Sequence, residues 1–383
     1  MPVFPDSDGR APTEGIIHMT KLQDLYVNGQ SVWLDFIRRD MLRSGELADL
    51  VSAGVRGLTS NPTIFEQAIS GSDAYDDQIA EIIEQSPDAG TGAVFEELAV
   101  VDIRGAADEL RGVYDASDGA DGFVSLEVSP HLAHDAKGTV ADARRLWEWV
   151  DRPNLMIKVP ATPAGIPAQE ELLAGGINVN STLMFSLADY EAVAQAHIRG
   201  LRRSSDPTGT ASVASFFVSR VDSKADAALE KNGSPDAVAL RGKIAVANAK
   251  LAYRRFQELY LGDSFADLAA AGARPQRVLW ASTSTKNPEY RDVLYVEDLI
   301  GPDTVNTMPP ATIEAFSDHG VIDPDALTTG VINAADQIAT LTRLGIDFDE
   351  IAIELQRDGV VAFADSFDDL LRALDVKISE LRR

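Results

Sequence analysis

Short apolar runs bounded by glycine, proline and asparagine recur along the chain, and stretches with helical periodicity separate them. Such an alternation is typical of repeated βα units that build a parallel sheet. It predicts helices over residues 93–114, 140–150 and 235–260, and a helical tail over 324–383. The predicted strands are residues 32–37, 54–61, 122–129, 155–162, 177–184, 210–219, 277–285 and 304–308.

Eight strands with helical crossovers predict a (β/α)8 TIM barrel, with additional helices before the first strand and after the last. A doubly wound open sheet is the alternative, and the lack of a glycine-rich turn after the first strand disfavours it. No internal repeat or low-complexity linker interrupts the pattern. We therefore predict a flexible leader over residues 1–15 and a single barrel domain over residues 16–383.

Several predicted strands alternate between apolar and polar side chains, although parallel strands covered on both faces usually read as continuous apolar runs. Residues two apart share a face, so one face of these strands is polar. In a barrel that face would point inward, near the strand ends where active sites form. Buried charges need partners, so the grouping indicates a functional site. Its members are Asp35, Asn61, Glu127, Lys158, Asn180 and Thr182.

Lys158 interrupts an otherwise apolar strand in the segment LMIKVP. One interpretation is a structural lysine that reaches solvent or forms an ion pair. The other is an amine nucleophile that forms a Schiff base with a carbonyl substrate. Burial favours the neutral amine, whereas the nearby carboxylates Asp35 and Glu127 favour the charged form, so the sequence leaves its protonation state open.

Basic residues follow the sixth and seventh predicted strands, where they could bind an anionic substrate. Arg220 closes the run SFFVSR, and Lys286 closes WASTSTK. Ser282, Ser284 and Lys286 share one face, so two hydroxyls and an ammonium group could converge on a phosphate. The alternative is that both basic side chains are ordinary solvated surface charges.

Composition restricts the partners. The 383 residues include 60 Asp and Glu against 34 Lys and Arg, a net charge of −26. This balance argues against nucleic acid and anionic membranes, which are bound by clustered basic residues. With no cysteine, no apolar run of about 20 residues and no signal-like N-terminus, the sequence predicts a cytoplasmic protein. A homo-oligomer is compatible with the sequence, which does not determine the oligomeric state.

Seven segments resemble the strand motifs of transaldolases, in the expected order and across residues 20–380. The pair IKVPAT and INVNSTLMFS is specific within Schiff-base aldolases, and two later segments resemble the longer-chain bacterial branch. The seven segments are GLTSNPTIF, SLEVSP, IKVPAT, INVNSTLMFS, SFFVSRVD, WASTSTKNP and TVNTMP.

The resemblance implies transfer of a dihydroxyacetone unit without metal or cofactor, in the non-oxidative pentose phosphate pathway. Sedoheptulose 7-phosphate or fructose 6-phosphate would be the donor, and glyceraldehyde 3-phosphate or erythrose 4-phosphate the acceptor. Lys158 lies at the Schiff-base position, Asp35 matches the acid/base for the donor's C4 hydroxyl, and Glu127 and Thr182 match the pair that handles the catalytic water. The substrate-binding matches are Asn61 and Asn180 at the dihydroxyacetone hydroxyls, Ser215 and Phe217 along the channel, and Arg220, Ser284 and Lys286 at the phosphate.

Three other functions stay open. His131 and His134, in the segment HLAH, could face one way on a helix and bind the metal of a metal-dependent aldolase, although no third ligand is apparent. A fructose-6-phosphate aldolase would use the same lysine and release free dihydroxyacetone, but Asp35 and the long C-terminal helices disfavour it. A barrel retained only for binding would have lost Lys158 or its polar neighbours, and all of them are present.

Overall fold

The computed structural model describes residues 19–382, so the predicted leader over residues 1–15 lies outside the described part of the chain. The eight strands are all parallel, pair in chain order and close into a barrel. The predicted (β/α)8 barrel is confirmed, and the open-sheet alternative is wrong. The strands are β1 Gln30–Leu34, β2 Val55–Thr59, β3 Val124–Glu127, β4 Leu155–Pro160, β5 Val179–Met184, β6 Ser212–Phe217, β7 Arg277–Ala281 and β8 Thr304–Met308.

Each predicted strand corresponds to an observed one, but most of the predicted ranges run too far towards the C-terminus. The seventh was predicted to reach residue 285, whereas β7 ends at Ala281. Ser282 then has a φ of +55°, so the backbone leaves the strand there. The alternation of polar residues continues in the sequence beyond that point, and periodicity alone therefore overestimates the length of the strand.

Helices surround the barrel, with α1 before the first strand and α16 to α18 after the last, as the sequence predicts. Among residues 19–382, no helix combines the length and apolarity that a bilayer crossing requires. The helices are α1 Lys21–Val27, α2 Arg39–Ser44, α3 Glu46–Ala53, α4 Pro62–Ser70, α5 Asp76–Gln85, α6 Thr91–Glu109, α7 Arg111–Ala116, α8 Ala136–Val150, α9 Gly165–Ala174, α10 Leu187–Arg203, α11 Ser219–Asn232, α12 Pro235–Leu240, α13 Ile244–Tyr260, α14 Ala266–Ala270, α15 Leu294–Glu297, α16 Pro310–His319, α17 Val331–Arg343 and α18 Phe348–Leu381.

Two of the predicted helices were wrong in extent, because each is divided. Residues 235–260 form α12 and α13, separated around Gly242, whose φ of +70° is incompatible with a right-handed helix. Residues 93–114 fall in α6 and α7, which are separated at Leu110. The predicted helical tail holds α17 and α18, but residues 324–330 form turns.

The polar faces of the central strands point into the barrel, as predicted. Asn180 on β5 donates from Nδ2 to Oγ of Ser125 on β3 (3.0 Å), and its Oδ1 accepts from Oγ of Ser215 on β6 (2.6 Å). A bond from β5 to β3 passes over β4, so it forms across the interior. Elsewhere in the interior Trp33 packs on Gly57, where a Cβ would lie 2.5 Å from the indole ring, so only glycine fits.

The last helix, α18, crosses the C-terminal ends of β4 and β5. Gln356 donates from Nε2 to the carbonyl oxygens of Ala161 (3.1 Å) and Leu183 (3.2 Å). Gly359 packs closely on Leu183, since a Cβ at this glycine would lie 3.0 Å from Cδ2 of the leucine. The helix therefore covers part of the barrel end at which the active sites of this architecture form.

Candidate active site

A cavity of about 570 Å³ opens at the C-terminal ends of the strands. Residues from the strand ends line most of it, and α18 contributes Phe363. Glu127 and Asn180 are the two predicted site residues outside this lining. The predicted residues that line the cavity are Asp35, Asn61, Lys158, Thr182, Ser215, Phe217, Arg220, Ser284 and Lys286.

Lys158 is buried on β4, with 5% of its surface exposed. Its Nζ donates to the carbonyl oxygen of Ser60 (3.1 Å) and lies 3.7 Å from Oε2 of Glu127. The ring centroid of Phe363 lies 5.6 Å from the same nitrogen. The amine thus sits between a carboxyl group, a carbonyl group and an aromatic ring, at the edge of a cavity large enough for a small molecule.

Glu127 is the register partner of Lys158 across β3 and β4, and unlike the lysine it does not line the cavity. Burial raises its pKa from 4.5 to about 7, although Lys158 lowers this pKa and Asp35 raises it further. Its Oε2 makes no hydrogen bond with any described residue. A carboxyl group of this kind can hold or release a proton near neutral pH, which suits general acid–base chemistry.

Thr182 on β5 lies opposite Pro160 on β4, two residue pairs further along the strands than Lys158 and Asn180. Its Oγ1 is buried and makes no hydrogen bond with any described residue. The next residue, Leu183, has a φ of +59°, and the pairing of β5 with β6 is irregular there. This left-handed backbone is costly for a leucine, and such strain is concentrated at functional sites.

Asp35 follows directly after β1, and Thr59 holds its carboxylate. Thr59 donates from Oγ1 to Oδ1 of Asp35 (2.7 Å), and Oγ1 of Thr307 lies 2.7 Å from Oγ1 of Thr59. The backbone N–H of Asp35 donates to the carbonyl oxygen of Met308 (2.8 Å). Three neighbouring strand ends, those of β8, β1 and β2, therefore fix the position of this carboxylate.

The two asparagines already have partners in the protein. Asn61 caps α4, where its Oδ1 accepts from the backbone N–H of Ile64 (3.0 Å), and its Nδ2 donates to no described residue. Asn180 bridges Ser125 and Ser215, which leaves one of its Nδ2 protons unused. Ser215 lines the cavity but gives its own hydroxyl proton to Asn180. These bonds fix the amide orientations without using all of their donors.

Positive charge in the cavity lining comes from Arg220 and Lys286, together with Lys158. Arg220 lies in the first turn of α11, with its guanidinium 5.5 Å from the ring centroid of Phe217. Burial lowers the pKa of Arg220 overall, although the charge of Asp35 acts in the opposite direction. Lys286 donates from Nζ to Oγ of Ser284 (2.7 Å). The arrangement is suited to a phosphate or another compact anion.

The two histidines of the HLAH segment lie elsewhere. His131 is in a 3-10 turn, Pro130–Leu132, and not on an α-helix; its Nε2 lies 2.9 Å from Oδ1 of Asp368. His134 follows in the next turn and is exposed. Within residues 19–382, no three His, Asp or Glu side chains are grouped so that they could hold a metal ion.

The site also includes residues that sequence reasoning did not assign to it. Thr59, Ser60 and Thr307 lie at strand ends inside the segments GLTSNPTIF and TVNTMP, so their position was a usable signal. Phe363 lies far along the chain in α18. Helical periodicity shows which face of such a helix is apolar, but it does not show that the helix crosses the mouth of the barrel.

Comparison with known proteins agrees with this geometry. The family model for transaldolase/fructose-6-phosphate aldolase matches residues 32–374. A transaldolase of Frankia alni is 50% identical over 355 residues, which cover 91% of this chain and 95% of the relative. Transaldolase 1 of Streptomyces coelicolor is 47% identical over 371 residues (94% and 96%), and a transaldolase of Thiobacillus denitrificans is 48% identical over 358 residues (92% and 99%). The resemblance found in the motifs is therefore confirmed: the chain belongs to the transaldolase/fructose-6-phosphate aldolase family.

Proposed function

We propose that the chain transfers a dihydroxyacetone unit from a ketose phosphate to an aldose phosphate through a Schiff base on Lys158. An enzyme of the transaldolase type follows from the family. Sedoheptulose 7-phosphate or fructose 6-phosphate is the proposed donor, with glyceraldehyde 3-phosphate or erythrose 4-phosphate as acceptor. The observation that carries the proposal is one cavity lined by the buried Lys158 together with Arg220 and Lys286. Sugar phosphates are intracellular metabolites, so the proposal includes a cytoplasmic location.

The reaction begins with attack of the Lys158 amine on the C2 carbonyl carbon of the donor. The resulting carbinolamine loses water and becomes an iminium ion. Glu127 is 3.7 Å from the amine, and its pKa of about 7 lets it give a proton to the departing hydroxyl near neutral pH. We assign the contact with that water to Glu127 and Thr182, because Oε2 of the glutamate and Oγ1 of the threonine make no hydrogen bond with any described residue.

Cleavage follows when a base removes the proton of the C4 hydroxyl. The C3–C4 bond breaks, its electrons move to the iminium nitrogen, and an aldehyde leaves while the enamine stays on Lys158. We assign the base to Asp35, which lines the same cavity. The acceptor aldehyde then bonds to C3, and the steps run in reverse. Neutral amides suit the dihydroxyacetone hydroxyls, because they add no charge beside the iminium.

The remaining predicted residues, all of which line the cavity except Asn180, are assigned to substrate binding. Asn61 and Asn180 are assigned to the hydroxyl groups of the three-carbon unit, and Ser215 and Phe217 to the wall of the channel. Arg220, Ser284 and Lys286 are assigned to the phosphate of the donor or acceptor. A guanidinium and an ammonium group in one lining support this assignment, since charge-assisted hydrogen bonds are the stronger kind.

Borohydride trapping with fructose 6-phosphate tests the proposal. We expect reduction during turnover to leave a three-carbon adduct on the peptide that contains Lys158, as read by intact and peptide mass spectrometry. Lys158→Ala should give no adduct and no turnover while keeping its circular dichroism spectrum. Lys231→Ala is the control, since it removes an exposed lysine of α11 outside the cavity lining and should keep both the adduct and the turnover. An adduct on another lysine, or none at all, would contradict the proposal.

A further inference from the structure

The ring of Phe363 closes the side of the Lys158 amine that faces α18. Phe363 lines the large cavity, is 7% exposed, and its ring centroid lies 5.6 Å from Nζ of Lys158. Its neighbour one turn later, Phe367, does not line that cavity and packs edge-on against Phe95 and His131 instead. Of these two similar aromatic residues on one helix, only Phe363 lies at the reacting lysine.

Contacts at several points hold α18, and with it Phe363, against the barrel. Gln356 bonds with the ends of β4 and β5, as described above. In addition, Oγ1 of Thr63, at the start of α4, donates to Oγ of Ser366 on α18 (2.9 Å). Lys224 on α11 pairs with Glu354 (2.6 Å) and Asp358 (3.1 Å). These contacts lie on both sides of Phe363 along the helix, so the ring is held in place above the lysine.

The family includes both transaldolases and fructose-6-phosphate aldolases, and the two activities differ in what happens to the three-carbon enamine on the lysine. In transfer, C3 bonds to an aldehyde carbon and the aldehyde oxygen takes a proton. In release, C3 itself takes a proton instead. Either way an iminium ion forms again, one water molecule adds at C2, and the lysine amine departs from the product. The two outcomes therefore differ in whether an aldehyde or a proton reaches C3 first.

We propose that Phe363 is a specificity-determining residue that keeps solvent protons from the enamine on Lys158 and so favours transfer over release of dihydroxyacetone. The inference rests on the proposed function. An aromatic ring has no proton to give, and it occupies space that water would otherwise fill beside the amine. Its face also attracts a cation, so it stabilises the iminium ion without a hydrogen bond.

The test measures two rates with fructose 6-phosphate: free dihydroxyacetone formed without acceptor, and transfer to glyceraldehyde 3-phosphate or erythrose 4-phosphate. We expect Phe363→Ala to raise the ratio of release to transfer by roughly tenfold, the scale of one truncated pocket group. Phe363→Leu lacks the ring but fills more space than the alanine variant, so it should also raise the ratio, but by less than Phe363→Ala. Phe367→Ala and Phe367→Leu are the matched controls and should leave the ratio unchanged.

Borohydride trapping on each variant separates this inference from the proposed function. If the unmodified protein gives no adduct on Lys158, the proposed function fails. If the adduct forms and the ratio in both Phe363 variants equals that of the unmodified protein, the inference about Phe363 fails alone. An equal rise in the Phe367 variants would also overturn it, since the effect would then come from a loosened helix. Should Phe363→Ala fail to fold, the leucine variant decides.

Discussion

Glu127 and Lys158 face each other on β3 and β4, with 3.7 Å between carboxyl oxygen and amine nitrogen. The lysine stabilises a charged carboxylate, yet burial outweighs it, and the pKa of Glu127 is raised to about 7. Burial dominates because few solvent dipoles reach the pair to stabilise the ionised form. The fold therefore raises the pKa of Glu127 towards neutral pH, which suits a group that must both give and take a proton.

This raised pKa gives Glu127→Gln a predicted effect on the pH dependence of stability. A carboxyl group whose pKa is higher in the folded state stabilises the fold below pH 4.5, and this contribution is lost as pH rises through about 7. We expect the thermal midpoint of the original protein to fall relative to that of Glu127→Gln between about pH 4.5 and about pH 7, where the carboxyl group ionises in the unfolded state before it does in the folded state. Glu84→Gln, at an exposed position on α5, is the control and should show a constant difference. Parallel pH curves for Glu127→Gln would contradict the raised pKa.

Asp35 is predicted to act after the Schiff base has formed, so its replacement should stop the reaction at a recognisable point. An amide cannot take the C4 hydroxyl proton, and we expect Asp35→Asn to slow cleavage by about 10² or more. Borohydride should then trap the uncleaved six-carbon adduct on Lys158 in place of the three-carbon one. Asp40→Asn, at an exposed position on α2, should behave like the original protein. Normal cleavage in Asp35→Asn would exclude this aspartate as the base.

The loop that carries Asp35 joins β1 to α2, and a buried ion pair anchors the far end of that loop. Nε of Arg39, the first residue of α2, lies 2.8 Å from Oδ1 of Asp102 on α6, and both residues are buried. Tyr75 donates from its hydroxyl to Asp102 (2.9 Å) and accepts from the backbone N–H of Arg39 (3.2 Å). The group thus connects α2, α6 and the 3-10 turn Asp73–Tyr75.

We expect Asp102→Ala to lower the free energy of unfolding by about 3–5 kcal/mol, because it removes the carboxylate that pairs with the buried charge of Arg39. Asp115→Ala is the control: it breaks an exposed pair with Arg111 on α7 and should cost about 1 kcal/mol or less. Urea unfolding followed by circular dichroism measures both. Equal small losses would show that the buried pair contributes no more than the exposed one.

The elements differ in how far the sequence could predict them. Strands were recognisable because apolar runs and alternating faces are local properties, and the residues at their ends could be grouped once a barrel was assumed. The break at Gly242 was missed because helical periodicity continues on both sides of it. The position of α18 depends on contacts of Gln356 and Gly359 with distant strand ends. Phe363 could therefore be assigned to the site only from the fold.

At the scale of the whole molecule, the charge imbalance is a surface property. Many arginines already pair with acids in exposed positions, as Arg202 does with Asp267 and Arg203 does with Glu171. Exposed pairs of this kind contribute little each, typically about 0–1 kcal/mol. With 60 acidic residues against 34 basic ones, a surplus of carboxylates remains. Their mutual repulsion opposes the compact state.

Salt should therefore stabilise this protein. Dissolved ions screen the repulsion between distant carboxylates more strongly than the attraction within ion pairs that are in contact. We expect the thermal midpoint to rise by a few degrees when sodium chloride increases from about 0.02 M to about 0.5 M, as the Debye length shortens. Glu81→Gln/Glu84→Gln removes two exposed acids of α5 that make no ion pair with any described residue. This variant should be more stable than the original protein at low salt, and its advantage should shrink at high salt. A midpoint that falls with added salt would mean that attraction within the exposed pairs outweighs the repulsion.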